Sequence, residues 1–247
     1  MPNLTTRPLP LGIHRLGASI FLAGLAACVN PLPNADPLQI IDERAFSPRL
    51  RVAYPLEECE KENSRTWLGA ELAVHSGDFE DAIPNGQEIR IGETALNGPG
   101  LLHGDYDLRR ASFYLQGRAK SSKRFRYSGF LGLSFTDLDL DVRLNGVSDT
   151  DRRLVVGPMV GGEVETSLAT DLNGFLRLLW HFGVSHSDPV TQVMLETGMT
   201  WKLNETLGLT LGYHLTDFQL ESKSNQFSDL DLEIEGAFLS LDWSLGH

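Results

Sequence analysis

The sequence predicts an all-β protein: an eight-stranded antiparallel up-and-down transmembrane β-barrel with an N-terminal signal and an extended linker. Three observations favour this fold class. Segments of about ten residues, the length a tilted strand needs to span a bilayer, alternate apolar and polar side chains, so each type occupies one face. The polar face carries charge in mid-strand, while aromatic residues lie near strand ends on the apolar face. Short and long connections also alternate, as in outer-membrane barrels.

The alternation is clearest from Gly174 to Asp217, where three strands follow one another. The apolar face of the first strand consists of Leu176, Leu178, Trp180, Phe182 and Val184. Its opposite face carries Arg177, His181 and Ser185. The next two strands repeat the pattern, with Glu196 and His214 on their polar faces.

Four further strands are predicted before this region and one after it, so that the barrel occupies residues 66–247. Residues 77–104 are rich in glycine, proline, asparagine and acids, which predicts a long exposed loop. Residues 144–151 are likewise expected to form a longer connection on that side.

The predicted interior of the barrel is polar and charged. Its inward-facing charges are Glu71, Arg118, Glu163, Glu165, Arg177 and Glu196, together with Arg110, Arg126 and Asp242. An eight-stranded barrel is just wide enough for side chains to fill, and buried charges need partners. We therefore expect a salt-bridged polar plug, with no cofactor and no metal site. His75, His181 and His214 share the inward face and are expected to be satisfied interior histidines.

Residues 1–28 have the pattern of an export signal, with a weakly basic start and a short apolar core. The run Leu25-Ala26-Ala27-Cys28 resembles the bacterial lipobox. This resemblance implies cleavage before Cys28, lipid attachment to Cys28 and, since Val29 follows, delivery to the outer membrane. An ordinary signal peptide cut after Ala26 or Ala27 is the alternative interpretation.

Residues 29–65 are predicted to form a Pro-rich periplasmic linker without sustained periodicity. The formal net charge of −12 excludes nucleic acid as an expected partner, because no basic stripe is available to contact phosphates.

Over residues 66–247 the chain resembles the small eight-stranded bacterial outer-membrane barrels of the OmpA- and OmpX-like class. The resemblance rests on strand alternation and loop asymmetry. It implies a place in the Gram-negative cell envelope, contact with outer-membrane lipids and insertion by the barrel-assembly machinery. It also implies a non-enzymatic, structural or surface-interaction role carried by the external loops.

Two other functions are open at this point. His186, Ser187 and Glu196 resemble, with altered spacing, the triad of outer-membrane lipid A deacylases, in which a histidine activates a serine. A membrane-embedded lipid-modifying hydrolase is therefore one alternative. The other is a soluble lipocalin-like lipoprotein that binds a small apolar ligand inside its barrel.

Overall fold

The described part of the protein, seen here in a computed structural model, consists of β-strands joined by turns and short connections. The structure describes residues 38–59, 64–91, 94–120, 124–186, 188–222 and 229–245. In chain order the strands are β1 (Leu38–Cys59), β2 (Ser64–Ile83), β3 (Glu88–Arg90), β4 (Ala95–Asn97), β5 (Gly100–Lys120), β6 (Phe125–Leu144), β7 (Val147–Ser167), β8 (Leu172–Ser185), β9 (Asp188–Lys202), β10 (Leu207–Leu220) and β11 (Leu230–Ser244). Within these ranges no helix is long and apolar enough to cross a membrane.

In the described part of the chain, nine strands form a closed barrel in the order β1-β11-β10-β9-β8-β7-β6-β5-β2. The expected all-β barrel is confirmed, but the expected strand count of eight is wrong. Neighbours along the chain are antiparallel, so an odd count makes the first and last strands point the same way. β1 and β11 accordingly pair in parallel, from Leu38↔Leu230 to Ala53↔Ser244. The barrel is therefore not purely up-and-down antiparallel.

The additional strand, β1, lies within residues 29–65, which were expected to form a linker. Its second half alternates like the other strands, since exposed Leu50 separates the buried Arg49 and Arg51. β1 closes the barrel by pairing with β11 on one side and β2 on the other.

Two prolines make β1 hard to recognise from the sequence. Pro48 comes just before the first β1–β2 pair, Arg49↔Ala73, and Pro55 borders a register shift in the same ladder. Because proline cannot donate a ladder hydrogen bond, it is tolerated at such ends and irregularities. The prolines therefore mark the limits of regular pairing with β2 rather than a break in the strand, and Pro48 itself pairs with Leu239 of β11.

The two ends of the barrel differ. At the short-turn end, the strands are joined by connections 60–63, 121–124, 168–171 and 203–206. At the opposite, extended end, β2, β5, β6 and β7 continue beyond the shorter strands. The β6–β7 tip there is the two-residue turn Asn145-Gly146, with φ of 53° and 81°. Positive φ at both positions is the geometry of the tight hairpin turn that Asn-Gly favours, so the longer connection expected at 144–151 is wrong.

A four-stranded sheet projects from the extended end. Residues 74–83 of β2 pair with β5, whereas the β1–β2 ladder of the described chain begins at Arg49↔Ala73. Residues 147–155 of β7 pair with β6, and the β7–β8 ladder begins at Val156↔Val184. The projecting sheet therefore has two lateral edges, one on β2 and one on β7.

The polarity of the barrel wall reverses along the strands, and β6 shows this most directly. From Phe125 to Phe135 its outward side chains are apolar or glycine, and its inward ones include Arg126 and Ser134. From Asp137 onward the outward side chains are charged, and the inward ones are leucine and valine. The barrel is therefore apolar outside at one level and apolar inside at the next.

The inward side chains of the extended end form the main apolar core. The projecting sheet contributes Phe79, Leu102, Tyr106, Leu108, Leu138, Leu140, Val142 and Leu144. The β3–β4 hairpin, between β2 and β5, folds back over this face and buries Ile89 and Leu96 against it. Residues 77–104 therefore combine strand extensions with a small hairpin that covers the mouth of the barrel.

Glycines in the lumen wall make room for aromatic rings. A Cβ at Gly69 would overlap the ring of Tyr114, whereas a Cβ at Gly117, on the outer surface, would meet no atom within 4 Å. We expect Gly69→Ala to destabilise the protein by about 1–3 kcal/mol, the usual cost of overpacking, and Gly117→Ala to have little effect. Urea unfolding followed by tryptophan fluorescence measures both. Equal midpoints for the two variants would show that the Tyr114 ring does not occupy this position.

Candidate functional site: the charged lumen and the mouth of the barrel

Seven inward side chains from six strands meet in the middle of the lumen. They form the central charge cluster: Arg49, Arg51, Glu71, Arg110, Glu163, Arg177 and Glu196. All are buried because they lie on the inward parity of strands that surround a narrow interior. The sequence analysis placed Glu71, Glu163, Arg177 and Glu196 on this face, and the structure brings all four together.

Arg177 is the hub of the cluster. Its Nη1 lies 3.2 Å from Glu71 Oε2 and 3.4 Å from Glu196 Oε2, and its Nε donates to Glu163 Oε2 at 2.9 Å. Arg51 links the same two central carboxylates, at 2.8 Å to Glu71 and 3.3 Å to Glu196. The cluster therefore ties β1, β2, β7, β8 and β9 together across the lumen.

Two further ion pairs complete the cluster: Arg49 pairs with Glu196, and Arg110 pairs with Glu71. The guanidinium of Arg49 also lies 4.0 Å above the ring centre of Phe238, at cation–π distance. Arg49 and Arg51 were missed from the sequence because β1 was not recognised. The signal available in the sequence was the alternation around Leu50, an apolar residue that separates the charged Arg49 and Arg51.

The predicted charges Arg118 and Glu165 lie apart from the cluster, towards the short-turn end. Arg126 pairs with Glu165, and Arg118 lies 3.8 Å from the same carboxylate. Asp242 instead borders the central charge cluster, 4.0 Å from Arg51 Nε, and Ser240 donates to its carboxylate at 2.7 Å. Charged and polar side chains therefore fill the lumen at two levels.

The three interior histidines do not converge on one point. His75 and His214 form an edge-to-face pair with ring centres 4.7 Å apart, while His181 lies 3.3 Å from Gln192. The described ranges contain no group of three or more His, Cys, Asp or Glu residues able to hold a metal. Among the described residues, no protein group hydrogen-bonds the ring nitrogens of His75 and His214.

The residues of the alternative catalytic triad are held far apart or are not described. His186 is exposed at the β8–β9 turn with a φ of 51°, and Ser187 lies outside the described residues. Glu196 lies eight residues from Asp188 along β9, or roughly 26 Å at about 3.3 Å per residue. Since Glu196 is committed to Arg49, Arg51 and Arg177, it does not orient His186. Cys28 also lies outside the described residues.

The outer surface of the extended end is strongly acidic. This acidic collar consists of the outward-facing Asp78, Glu80, Asp105, Asp107, Asp137, Asp139, Asp141, Asp217, Asp231, Glu233 and Glu235, interspersed with Arg109, Arg143 and Arg152. Asp217 lies directly opposite Glu233 on β11. Partial burial raises the pKa of the Asp217 carboxyl, and the Asp231 and Glu233 carboxylates raise it further. At Asp137 the hydrogen bond from Arg152 lowers the pKa instead.

The mouth of the barrel at the extended end contains a small recess, partly open to solvent, with a cavity volume of about 20 Å³. Its walls are mainly leucine side chains from β1, β6, β10 and β11, and Ile91 of the hairpin closes one side. Asp151, Arg153 and Asp229 supply the charges of its rim.

Comparison with known protein families, curated proteins and solved structures finds no match to this chain.

Proposed function

We propose that this protein is a non-enzymatic bacterial outer-membrane β-barrel, closed by its own side chains, with a structural or surface-interaction role at its extended end. One observation carries the proposal: a continuous apolar belt surrounds a polar, ion-paired lumen. On β6 alone, Leu131 and Leu133 are 65% and 51% exposed. Exposed apolar side chains on the outside and charged side chains on the inside are the arrangement of a β-barrel in a lipid bilayer.

The height of the apolar belt fits a bilayer. On β6 it runs from Phe125 to Phe135, ten residue steps, or about 34 Å along the strand at 3.4 Å per step. A typical tilt of about 40° reduces this to about 26 Å, close to the roughly 25 Å apolar band of outer-membrane barrels. The exposed aromatics Tyr54, Trp201 and Trp243 lie near the short-turn end, where an interfacial girdle belongs.

The proposed orientation places the short-turn end in the periplasm, since outer-membrane barrels have short periplasmic turns. In this orientation β1 starts at the outer side of the membrane.

Spin labels on two outward positions test the membrane assignment. In a Cys28→Ser, Cys59→Ser background, Leu131→Cys lies in the apolar belt and Ser148→Cys is exposed on β7 at the level of the acidic collar. After refolding into vesicles, the label at Leu131 should collide with oxygen and be shielded from a water-soluble nickel complex. The label at Ser148 should show the reverse. Equal nickel access at both positions would mean a soluble barrel and end the proposal.

Labelling of intact cells tests the orientation. A membrane-impermeant maleimide should react with Ser148→Cys and spare Asn204→Cys at the short-turn end. Reaction at Asn204 with protection at Ser148 would reverse the orientation and leave the barrel in the membrane.

A further inference from the structure

A pair of buried histidines lies between the central charge cluster and the apolar core of the extended end. His75 on β2 and His214 on β10 are both completely buried, and their rings meet edge to face. On β2, His75 lies four residues after Glu71 of the cluster and four before Phe79 of the core. Because β2 and β10 are not neighbours in the barrel, the pair joins two separate parts of its wall.

Guanidinium groups flank the pair. Ala73, the inward residue before His75 on β2, is paired with Arg49 of β1 on one side and with Arg110 of β5 on the other. Burial is the main influence that opposes a positive charge on either ring, and Arg49 and Arg110 add electrostatic repulsion at both rings. A proton on one ring would also repel a proton on the other, whose centre is 4.7 Å away.

The two carboxylates that face the pair are already engaged. Glu196 lies directly opposite His214 on β9, and Glu71 is the carboxylate that acts on His75. Each of them is held by three guanidinium groups of the central charge cluster. From β11, the uncharged ring of Phe238 faces His214 at 6.2 Å between ring centres. A proton on either ring would therefore be a buried charge without a carboxylate of its own, which is costly.

We propose that the His75–His214 pair is an acid-sensitive lock on the closed lumen. While both rings are neutral, their contact joins β2 to β10 and stabilises the closed barrel. A proton on either ring adds a positive charge beside Arg49 and Arg110, and the barrel opens to give that charge access to water. This inference goes beyond the proposed function by giving the lumen a response to pH.

The direction of the pH effect follows from where the protons bind. An exposed histidine takes up a proton below about pH 6.5, so in mild acid the unfolded chain is protonated at both positions and the folded barrel is not. The state that binds more protons is favoured as the pH falls. The barrel therefore keeps its full stability above about pH 6.5 and loses it below, and each ring raises the unfolding equilibrium constant about tenfold per pH unit.

Replacing both rings tests the lock. The double variant His75→Phe, His214→Phe keeps an aromatic contact at this position and removes both proton-binding groups. Urea unfolding in zwitterionic vesicles, followed by tryptophan fluorescence, gives the unfolding constant of each chain. Between about pH 5.5 and about pH 4.5 this constant should rise roughly a hundredfold more in the native chain than in the double variant, a factor of about ten for each ring. Protonation of carboxylates is common to both chains and cancels in the comparison.

His103→Gln is the matched control. His103 is an exposed histidine on β5 that pairs with Glu80, and its replacement should leave the pH dependence of unfolding as it is in the native chain. The single variants His75→Gln and His214→Gln should each remove about a factor of ten per pH unit. They carry the test if the double variant does not fold.

Histidine-selective nitrogen NMR of the folded barrel observes the two rings directly. At about pH 5.5, below the usual range of histidine, the signals of His75 and His214 should be those of neutral imidazole. A charged ring at either position in the folded barrel would overturn the proposal, and so would a double variant with the pH dependence of the native chain. Both measurements can also be made in buffer, so a soluble barrel would retain the lock and lose only the membrane assignment.

Discussion

Replacing Glu196 with glutamine is expected to destabilise the barrel by about 3–5 kcal/mol, the cost of breaking a buried ion pair by removing one partner. Glu196 is completely buried and is the one carboxylate paired with Arg49 among the described residues. It also lies within 3.4 Å of Arg51 and Arg177. The neutral amide leaves these guanidinium groups with less opposing charge where water does not reach them.

Unfolding by urea in vesicles, followed by the fluorescence of the four tryptophans, measures this change. The matched control is Asp107→Asn, which breaks an exposed pair with Arg109 and should cost at most about 1 kcal/mol. A second substitution, Arg49→Met in the Glu196→Gln background, should recover part of the lost stability, because it removes the buried guanidinium that has lost its carboxylate partner. If Glu196→Gln costs no more than Asp107→Asn, the lumen is hydrated and the central charge cluster does not seal it.

Replacing Leu131 with arginine is expected to cost about 2–4 kcal/mol in a bilayer, because the charge would face lipid near the mid-plane. Leu131 is the most exposed apolar side chain of the belt, at 65%. Leu101→Arg is the control: Leu101 is also an outward leucine, 47% exposed, but lies on β5 at the level of the acidic collar. There an arginine faces water and neighbouring carboxylates, so the change should be close to neutral.

Folding in vesicles and folding in aqueous buffer distinguish two explanations of the Leu131 result. In a soluble barrel both arginine variants would be tolerated alike, since both positions would face water. A neutral Leu131→Arg would therefore contradict the membrane assignment, even if the barrel itself is intact.

Much of the fold follows from local alternation, which the sequence carries strand by strand. The inward orientation of Glu71, Glu163, Arg177 and Glu196 could be predicted from the two-residue period of each strand alone. Their partners could not be predicted the same way, because pairing depends on register between distant strands. Arg49 and Glu196, for example, are 147 residues apart. The parallel pairing of β1 with β11 was missed because it follows from the odd number of strands. The prolines of β1 made that strand hard to recognise, so the strand count was one too low.

The mouth of the barrel was the least predictable region. Residues 77–104 have the composition of a loop, yet they contain strand extensions and the β3–β4 hairpin. Ile89 and Leu96 are buried there by contact with the projecting sheet, which is a tertiary effect that overrides local composition. The recess was beyond sequence reasoning because its walls come from strands far apart in the chain.

The lateral edges of the projecting sheet also bear on whether two molecules of this protein can pair with each other. An uncovered strand edge is a template for edge-to-edge aggregation, and inward-pointing charges on edge strands are a known defence. β7 has this defence at its edge, where Asp149, Asp151 and Arg153 point inward, and Asp81 lies on the inward parity of β2. An incoming strand would have to bury these charges, so the residues that shape the mouth also disfavour edge-to-edge pairing between barrels.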